Sequence, residues 1–265
     1  MPESREVLSR LLGPFVDRGK GGAELPTYTL RDRGADVARR YALHLDDSKI
    51  QEVVSAGSML DWLIAHFCQQ AIDTTEEFLA LHAGVVASDG VSAIFPAPPD
   101  AGKTTLTAGL TRAGLGFLSD EIAAIDTDTA LVHPFPRPIL MDAATMDVLD
   151  GLREELPPAY EAFRRGRYHV APDDLRPGSL GTACEIGFVI APAYRPGSST
   201  TLQPMSRAET LMHLADTSFN LDRMGRAGFE ALVQVARSGR GYRLSIGDLE
   251  SAIAIVTDLL GSRRP

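Results

Sequence analysis

Gly102, Lys103 and Thr104 carry the most specific chemistry in this sequence. They close the loop Ala97-Pro98-Pro99-Asp100-Ala101-Gly102-Lys103-Thr104, followed by Thr105, between a strand-like apolar stretch and a helix-like one. A loop in that setting turns several backbone N–H groups toward one point, where the helix dipole also favours negative charge. The lysine adds a mobile cation for phosphate oxygens, and the threonine hydroxyl beside it can ligate magnesium. Asp100, Ala101, Gly102, Lys103, Thr104 and Thr105 are therefore the expected ATP-phosphate contacts, and Thr104 is an expected Mg2+ ligand. A Gly-Lys-Thr triplet alone often does no more than start a helix; the strand–loop–helix setting is what distinguishes this one. The full loop pattern asks for glycine at position 97, where alanine stands, and Pro98 and Pro99 supply no N–H.

Phosphoryl transfer also needs a group that orients or deprotonates the attacking hydroxyl, and a charge clamp on the phosphates. Asp120 and Glu121 follow the short apolar stretch after the loop's helix. If that stretch is a strand parallel and adjacent to the phosphate-loop strand, both carboxylates end at the ligand's edge of the sheet. Successive side chains alternate in direction, so Asp120 is expected as the base and Glu121 on the metal side. His82 interrupts an otherwise apolar run, a placement that catalytic and merely buried histidines share. Arg137, held between Pro136 and Pro138, suits a phosphate contact or a structural salt bridge equally. His44, His66, His133, His169 and His213 show no metal-ligand spacing, so zinc chemistry is not expected.

The elements that must position these residues are legible nearby. Leu79 to Ala87 reads as a buried strand, Asp89-Gly90 as a hairpin turn, and Val91 to Phe95 as the returning strand. Lys103 to Arg112 reads as a helix with Leu106 and Leu110 at core spacing, stopped at Gly114, and Leu115 to Leu118 as the next strand. Ile122 to Ile125 and Ala130 to Val132 form a hairpin around Asp126-Thr127-Asp128; three prolines exclude a helix or central strand from His133 to Pro138. Upstream, Tyr28 to Leu30 and Tyr41 to Leu45 read as strands. Ser58 is a plausible cap for a helix carrying Leu60, Leu63, Ile64 and Phe67 on one face. Downstream, Arg164 to Thr182 suggests a mobile loop system, Glu185 to Ala191 a strand, Ser206 to Leu214 a helix and Asp248 to Leu260 a terminal helix. The expectation is an α/β protein with a small N-terminal lobe at 1–75 and a nucleotide-binding core at 76–265.

Composition bounds the partners. Of the 265 residues, 44% are hydrophobic and 23% charged, enough for a sizeable core. A formal charge of −9 argues against a nucleic-acid surface, which needs clustered Lys and Arg. Two cysteines, Cys68 and Cys184, give no disulfide framework and are expected as reduced, buried thiols. No secretory signal pattern and no apolar run of membrane-spanning length is visible, so no membrane partner is expected and the expected compartment is the cytoplasm.

Taken together, Leu81-His82-Ala83, Pro98-Pro99-Asp100-Ala101-Gly102-Lys103-Thr104-Thr105 and Leu118-Ser119-Asp120-Glu121 resemble the HPr serine kinase superfamily. The closer likeness is to its HPr-kinase-related branch found with modified peptides, lasso-peptide kinases included. Pro134-Phe135-Pro136-Arg137-Pro138, Ser218-Phe219-Asn220, Tyr242-Arg243-Leu244 and Asp248-Leu249 extend the resemblance from about Trp62 to the C-terminus. It implies a phosphoenolpyruvate-carboxykinase-like P-loop fold, ATP with Mg2+, a serine acceptor, and catalytic roles for His82 and Asp120. HPr kinases form hexamers, which leaves a homo-oligomer open. Glu121 stands where the HPr kinases carry a second Asp, and the Glu-x-Arg-Gly-x-Gly signature of the bifunctional enzymes has no clear counterpart. Support for a reverse phosphorylase activity, or for HPr as substrate, is correspondingly weak.

The leading expectation is a kinase acting on a serine of a peptide or protein. A kinase of free serine or a similar small molecule, and a nucleotide-binding regulatory protein with little turnover, are the alternatives. Arg164 to Arg167 and Arg176 could hold a carboxylate of the acceptor in either kinase reading.

Overall fold

A computed structural model describes residues 2–15 and 26–262; residues 1, 16–25 and 263–265, parts of the expected lobe and core, lie outside the described residues. The chain opens with α1 (Pro2–Leu12), then a three-stranded antiparallel sheet of β1 (Tyr28–Asp32), β2 (Tyr41–Leu45) and β3 (Ser48–Val53). α2 (Ala56–Thr74) follows. Its cap is Ser55, whose hydroxyl accepts from the Ser58 N–H, so Ser58 lies inside the first turn and does not cap the helix. The apolar side of this lobe is not closed within residues 1–75. Val7, Leu11, Leu43, Leu60 and Leu63 share one cluster with Phe117, Met141, Tyr168 and Val170, so lobe and core bury each other.

The central sheet begins with the hairpin β4 (Phe78–Ser88) and β5 (Val91–Pro96), turned at Asp89-Gly90 with both residues at positive φ. α3 (Lys103–Arg112) leaves the loop after β5. β6 (Gly116–Ser119), β7 (Ile122–Asp126) and the two-residue β8 (Val132–His133) come next. Then β9 (Ile139–Asp142), α4 (Ala143–Val148), α5 (Leu152–Glu155), β10 (Arg167–Val170) and α6 (Pro172–Leu175) build a side structure in which β9 and β10 pair. The expected mobile loop at 164–182 thus contains β10 and α6. Its Arg176 is anchored to the carbonyls of Thr111 and Leu115. β11 (Glu185–Tyr194), β12 (Thr201–Pro204), α7 (Arg207–Asp216), α8 (Leu221–Ser238), β13 (Arg240–Ile246) and α9 (Leu249–Gly261) complete the chain.

The sheet is mixed, in the order β12-β13-β11-β5-β4-β7-β8, with β6 also paired to β4. β5, β11 and β13 run parallel, and β4 runs against β5, β6 and β7. Alternation along β4 divides the two faces. Leu79, Leu81, Ala83 and Val85 enter the cluster with Leu214, Leu232 and Val235 of α7 and α8; Val86 enters that with Leu106, Leu110 and Val256 of α3 and α9. Gly84 shares the parity of Val86, and a Cβ there would stand 2.4 Å from the Thr107 hydroxyl oxygen. α3 therefore seats directly on β4. No helix among the described residues is long and apolar enough to cross a membrane.

Candidate active site

The loop between β5 and α3 is built to leave its amides free. Gly102 sits at φ 89°, in the left-handed region, and α3 begins there without a side-chain cap. The first N–H with a helical acceptor is that of Leu106, which donates to the Gly102 carbonyl. The amides of Lys103, Thr104 and Thr105 thus have no acceptor within the helix, the arrangement that suits an anion. Asp100 also adopts a left-handed φ of 62°, which an Asx residue tolerates. Lys103 turns back, and its Nζ donates to the carbonyl oxygens of Ala97 and Pro98, both at 2.8 Å. The front of the loop, where alanine and two prolines break the pattern, is thus tied by the lysine itself.

The acid pair lies in the turn between β6 and β7. β4 pairs with β7 as far as His82 and with β6 from Val85 onward, and the Ala83 N–H donates to the Glu121 carbonyl where the partner changes. Ser119 Oγ accepts from the N–H groups of Glu121 and Ile122 and pins the turn. On the other side of β4, the Ala97 N–H donates to the His82 carbonyl. This corrects the expected layout: β6 is parallel to β5 but not its neighbour, because β4 stands between them. The acid pair and the phosphate loop still emerge at one edge, separated by two strand spacings, roughly 10 Å.

Side chains close that gap. Thr104 Oγ1 donates to Asp120 Oδ2 at 3.4 Å; Arg137 Nη2 lies 3.0 Å from Asp120 Oδ2 and 3.0 Å from Glu121 Oε2; His82 Nε2 lies 3.2 Å from Glu121 Oε1. His82 has the parity of Gly84, which aims it at the α3 side, and its ring packs 5.4 Å from that of Phe219. Arg137 is the structural clamp of the acid pair, one of its two expected uses. Exposure separates the carboxylates. Asp120 is fully buried and its Oδ1 has no hydrogen-bond partner, whereas the Glu121 side chain is 37% exposed and lines the cleft.

Burial pushes the Asp120 carboxyl above its ordinary range, against the opposing pull of Arg137. At Glu121 burial acts the same way, but the His82 contact, Arg137 and Lys103 outweigh it and hold the group below its usual value. Burial lowers Lys103, opposed by Glu121, Asp120 and Asp100. Burial would also lower Arg137, but Asp120 and Glu121 reverse the sign and raise it. Two neighbouring carboxylates with opposite shifts are equipped for different tasks.

The loop and Glu121 open into one cleft of about 1470 Å³, while Asp120 is buried behind its wall. His82, Lys103, Thr104, Glu121 and Arg137 line it, as do Asp100, Gly102 and Thr105; Ala101 belongs to the same loop but is not part of the wall. Several wall residues were not expected at the site: Asp61 and Tyr194, Cys68 of α2, which was expected as a buried thiol and is only partly buried, and His169 of β10, which was noted only for lacking metal-ligand spacing. Burial pushes the Cys68 thiol up to about 11. Only periodicity could have flagged these positions, and periodicity does not distinguish a cleft wall from a core. Among the described residues no group of three or more His, Cys, Asp or Glu could hold a metal ion. No protein-family model matches the chain, and no curated protein matches it.

Proposed function

We propose that this chain is an ATP- and Mg2+-dependent kinase that phosphorylates a serine hydroxyl on a peptide or protein, using a phosphoenolpyruvate-carboxykinase-like P-loop core. One observation carries the reading. An uncapped helix start with Lys103 and Thr104 shares a cleft edge with an acid pair already clamped by an arginine. A helix that merely began with Gly-Lys-Thr would need no carboxylates there.

The residues present fit the implied ligands. The amides of Lys103, Thr104 and Thr105, with the Lys103 ammonium, would hold the nucleotide phosphates. Thr104 and Asp120 would hold Mg2+, and the unpartnered Asp120 Oδ1 is a buried acceptor suited to a cation. With so few protein ligands, phosphates and water must supply the rest, as is usual for this ion. ATP brings the transferable phosphoryl group, and Mg2+ neutralises charge on it.

The geometry favours an exchange of the roles expected for the two acids. Asp120, under Thr104, belongs to the metal side; Glu121, exposed in the cleft and braced by His82, is placed to orient the acceptor hydroxyl and take its proton. A carboxylate kept ionised is a modest base, which suffices where transfer is largely a matter of positioning. The regulatory reading draws on the Lys103 ammonium, which is already engaged by loop carbonyls.

The test is transfer from labelled ATP to serine-ended peptides and to free serine, with and without magnesium. Glu121→Gln should lower kcat by about a hundredfold or more with ATP affinity unchanged. Asp120→Asn should instead raise the magnesium concentration needed. Tight nucleotide binding with no transfer to any acceptor would favour the regulatory protein.

A further inference from the structure

β5 pairs with β4 only from Ala83 onward, and the connection between α7 and α8 takes its place along Phe78 to His82. The Thr217 carbonyl accepts from the His82 N–H at 2.7 Å, and the Phe219 N–H donates to the Ala80 carbonyl at 2.9 Å. Asn220, 3% exposed, adds its side chain: Oδ1 accepts from the Ala80 N–H, and Nδ2 donates to the Phe78 carbonyl. With four hydrogen bonds over residues 217–220, this segment is a fixed strap on β4 and not a loose connection.

The antiparallel bridge between Leu81 and Ser218 decides where the strap's side chains point. Ser218 shares the face of Leu81, so Phe219 lies on the other face, with Ala80 and His82. Phe219 and His82 are diagonal neighbours there, and their rings meet at 5.4 Å with a tilt of 40°. Leu221 and Met224, just beyond the strap, pack against the cluster beneath α8. Phe219 instead stays 43% exposed in the wall of the cleft. An exposed phenylalanine alone carries no meaning. One bonded in place against the histidine that braces Glu121 does.

Building on the kinase reading, we infer that Phe219 is a positioning residue, which holds the His82 ring so that Nε2 meets Glu121. The Glu121 contact, 3.2 Å from Nε2, fixes one edge of the imidazole. Rotation about the ring's own bond to Cβ is soft, so one contact leaves the plane free to swing. The Phe219 ring supplies the second contact and removes that freedom. It acts through His82 on the placement of the Glu121 carboxylate, and not on the reacting atoms.

The experiment follows the ring-nitrogen resonances of isotope-labelled histidine in the full chain, beside transfer from ATP. Glu121→Gln should move the His82 Nε2 resonance in the parent, and by roughly half as much or less in Phe219→Ala. Phe219→Leu, which keeps bulk without a flat ring, should behave like the alanine variant. Phe219→Tyr should keep the parent response. In transfer, Phe219→Ala should lower kcat about twofold to tenfold with KM for ATP unchanged, and Phe219→Tyr should restore it. In a His82→Ala background the same change should cost nothing more. No Nε2 response in the parent, or an undiminished one in the alanine and leucine variants, overturns the brace. So does a kcat loss as large without His82 as with it, which would put the ring on the substrate. A raised KM for ATP with kcat intact overturns it too, by assigning Phe219 to the nucleotide. The expected Nε2 pattern in a protein that transfers phosphate to no acceptor supports the brace and counts against the kinase reading alone.

Discussion

Replacing Arg137 by methionine should cost about 3–5 kcal/mol at neutral pH, most of it at Asp120. The Arg137 side chain is 11% exposed and contacts both acids at 3.0 Å. Glu121 would keep His82 and its partial access to water. Asp120 would keep only the long contact from Thr104, with no exposure and a second oxygen already unpartnered. A buried carboxylate stripped of its counter-ion is the expensive case, whereas a pair removed together can be nearly neutral. For a chain of this size the loss corresponds to a fall in Tm of roughly 6–20 °C. The pH dependence has a definite sign. Because burial raises the native Asp120 pKa above its unfolded value, the native state binds the extra proton, and stability falls as pH rises through the native pKa. Without Arg137 that pKa climbs further, so the gap between variant and parent should widen as pH rises above the ordinary carboxylate range. Thermal melts across that rise in pH, with Arg137→Met/Asp120→Asn as the second arm, provide the measurement. The double variant should recover at least half of the loss. A deficit that is the same at every pH, or one that Asp120→Asn does not relieve, would refute this account of the clamp.

Three further outcomes are expected. Lys103→Ala should weaken ATP binding roughly tenfold to a hundredfold and lower turnover with it, read by nucleotide titration beside the transfer assay. Gly84→Val should destabilise by about 1–3 kcal/mol in urea unfolding, because its side chain would be driven into Thr107 and α3 must lift from β4. Cys68, with its thiol raised to about 11, should alkylate at pH 8 roughly a hundredfold more slowly than a free thiol, and nucleotide should slow it further.

Local signals were legible in the sequence, and relations between distant segments were not. The Asp89-Gly90 hairpin, the helix from Lys103 to Arg112 and the hairpin around Asp126 each follow from turn chemistry and periodicity within a dozen residues. The juxtaposition of Thr104 with Asp120 also followed, because two parallel strands deliver their ends to one edge. What failed was adjacency: nothing in the β6 sequence says that β4 separates it from β5. Ser58 was expected as the cap of α2, but the extended backbone of Ser55, three residues earlier, and its bond from the Ser58 N–H set the helix start, and neither is visible in residue types. The 164–182 stretch, rich in Gly, Pro and charge, hid a short strand whose apolar residues, Tyr168 and Val170, are too few to set a period. For the same reason His169 and the arginines beside it could be placed only in a loose basic region.

β4 touches the phosphate-loop strand with one edge and the acid-bearing turn with the other, so the reach between donor and acceptor chemistry is graduated in ribbon widths. Side-chain substitution cannot trim such a gauge; only a slip of the ladder can, and a slip would turn Leu81 and Ala83 out of their cluster. On the kinase reading proposed above, variation in the acceptor would have to come from the far wall, while the distance between loop and acid pair stays locked.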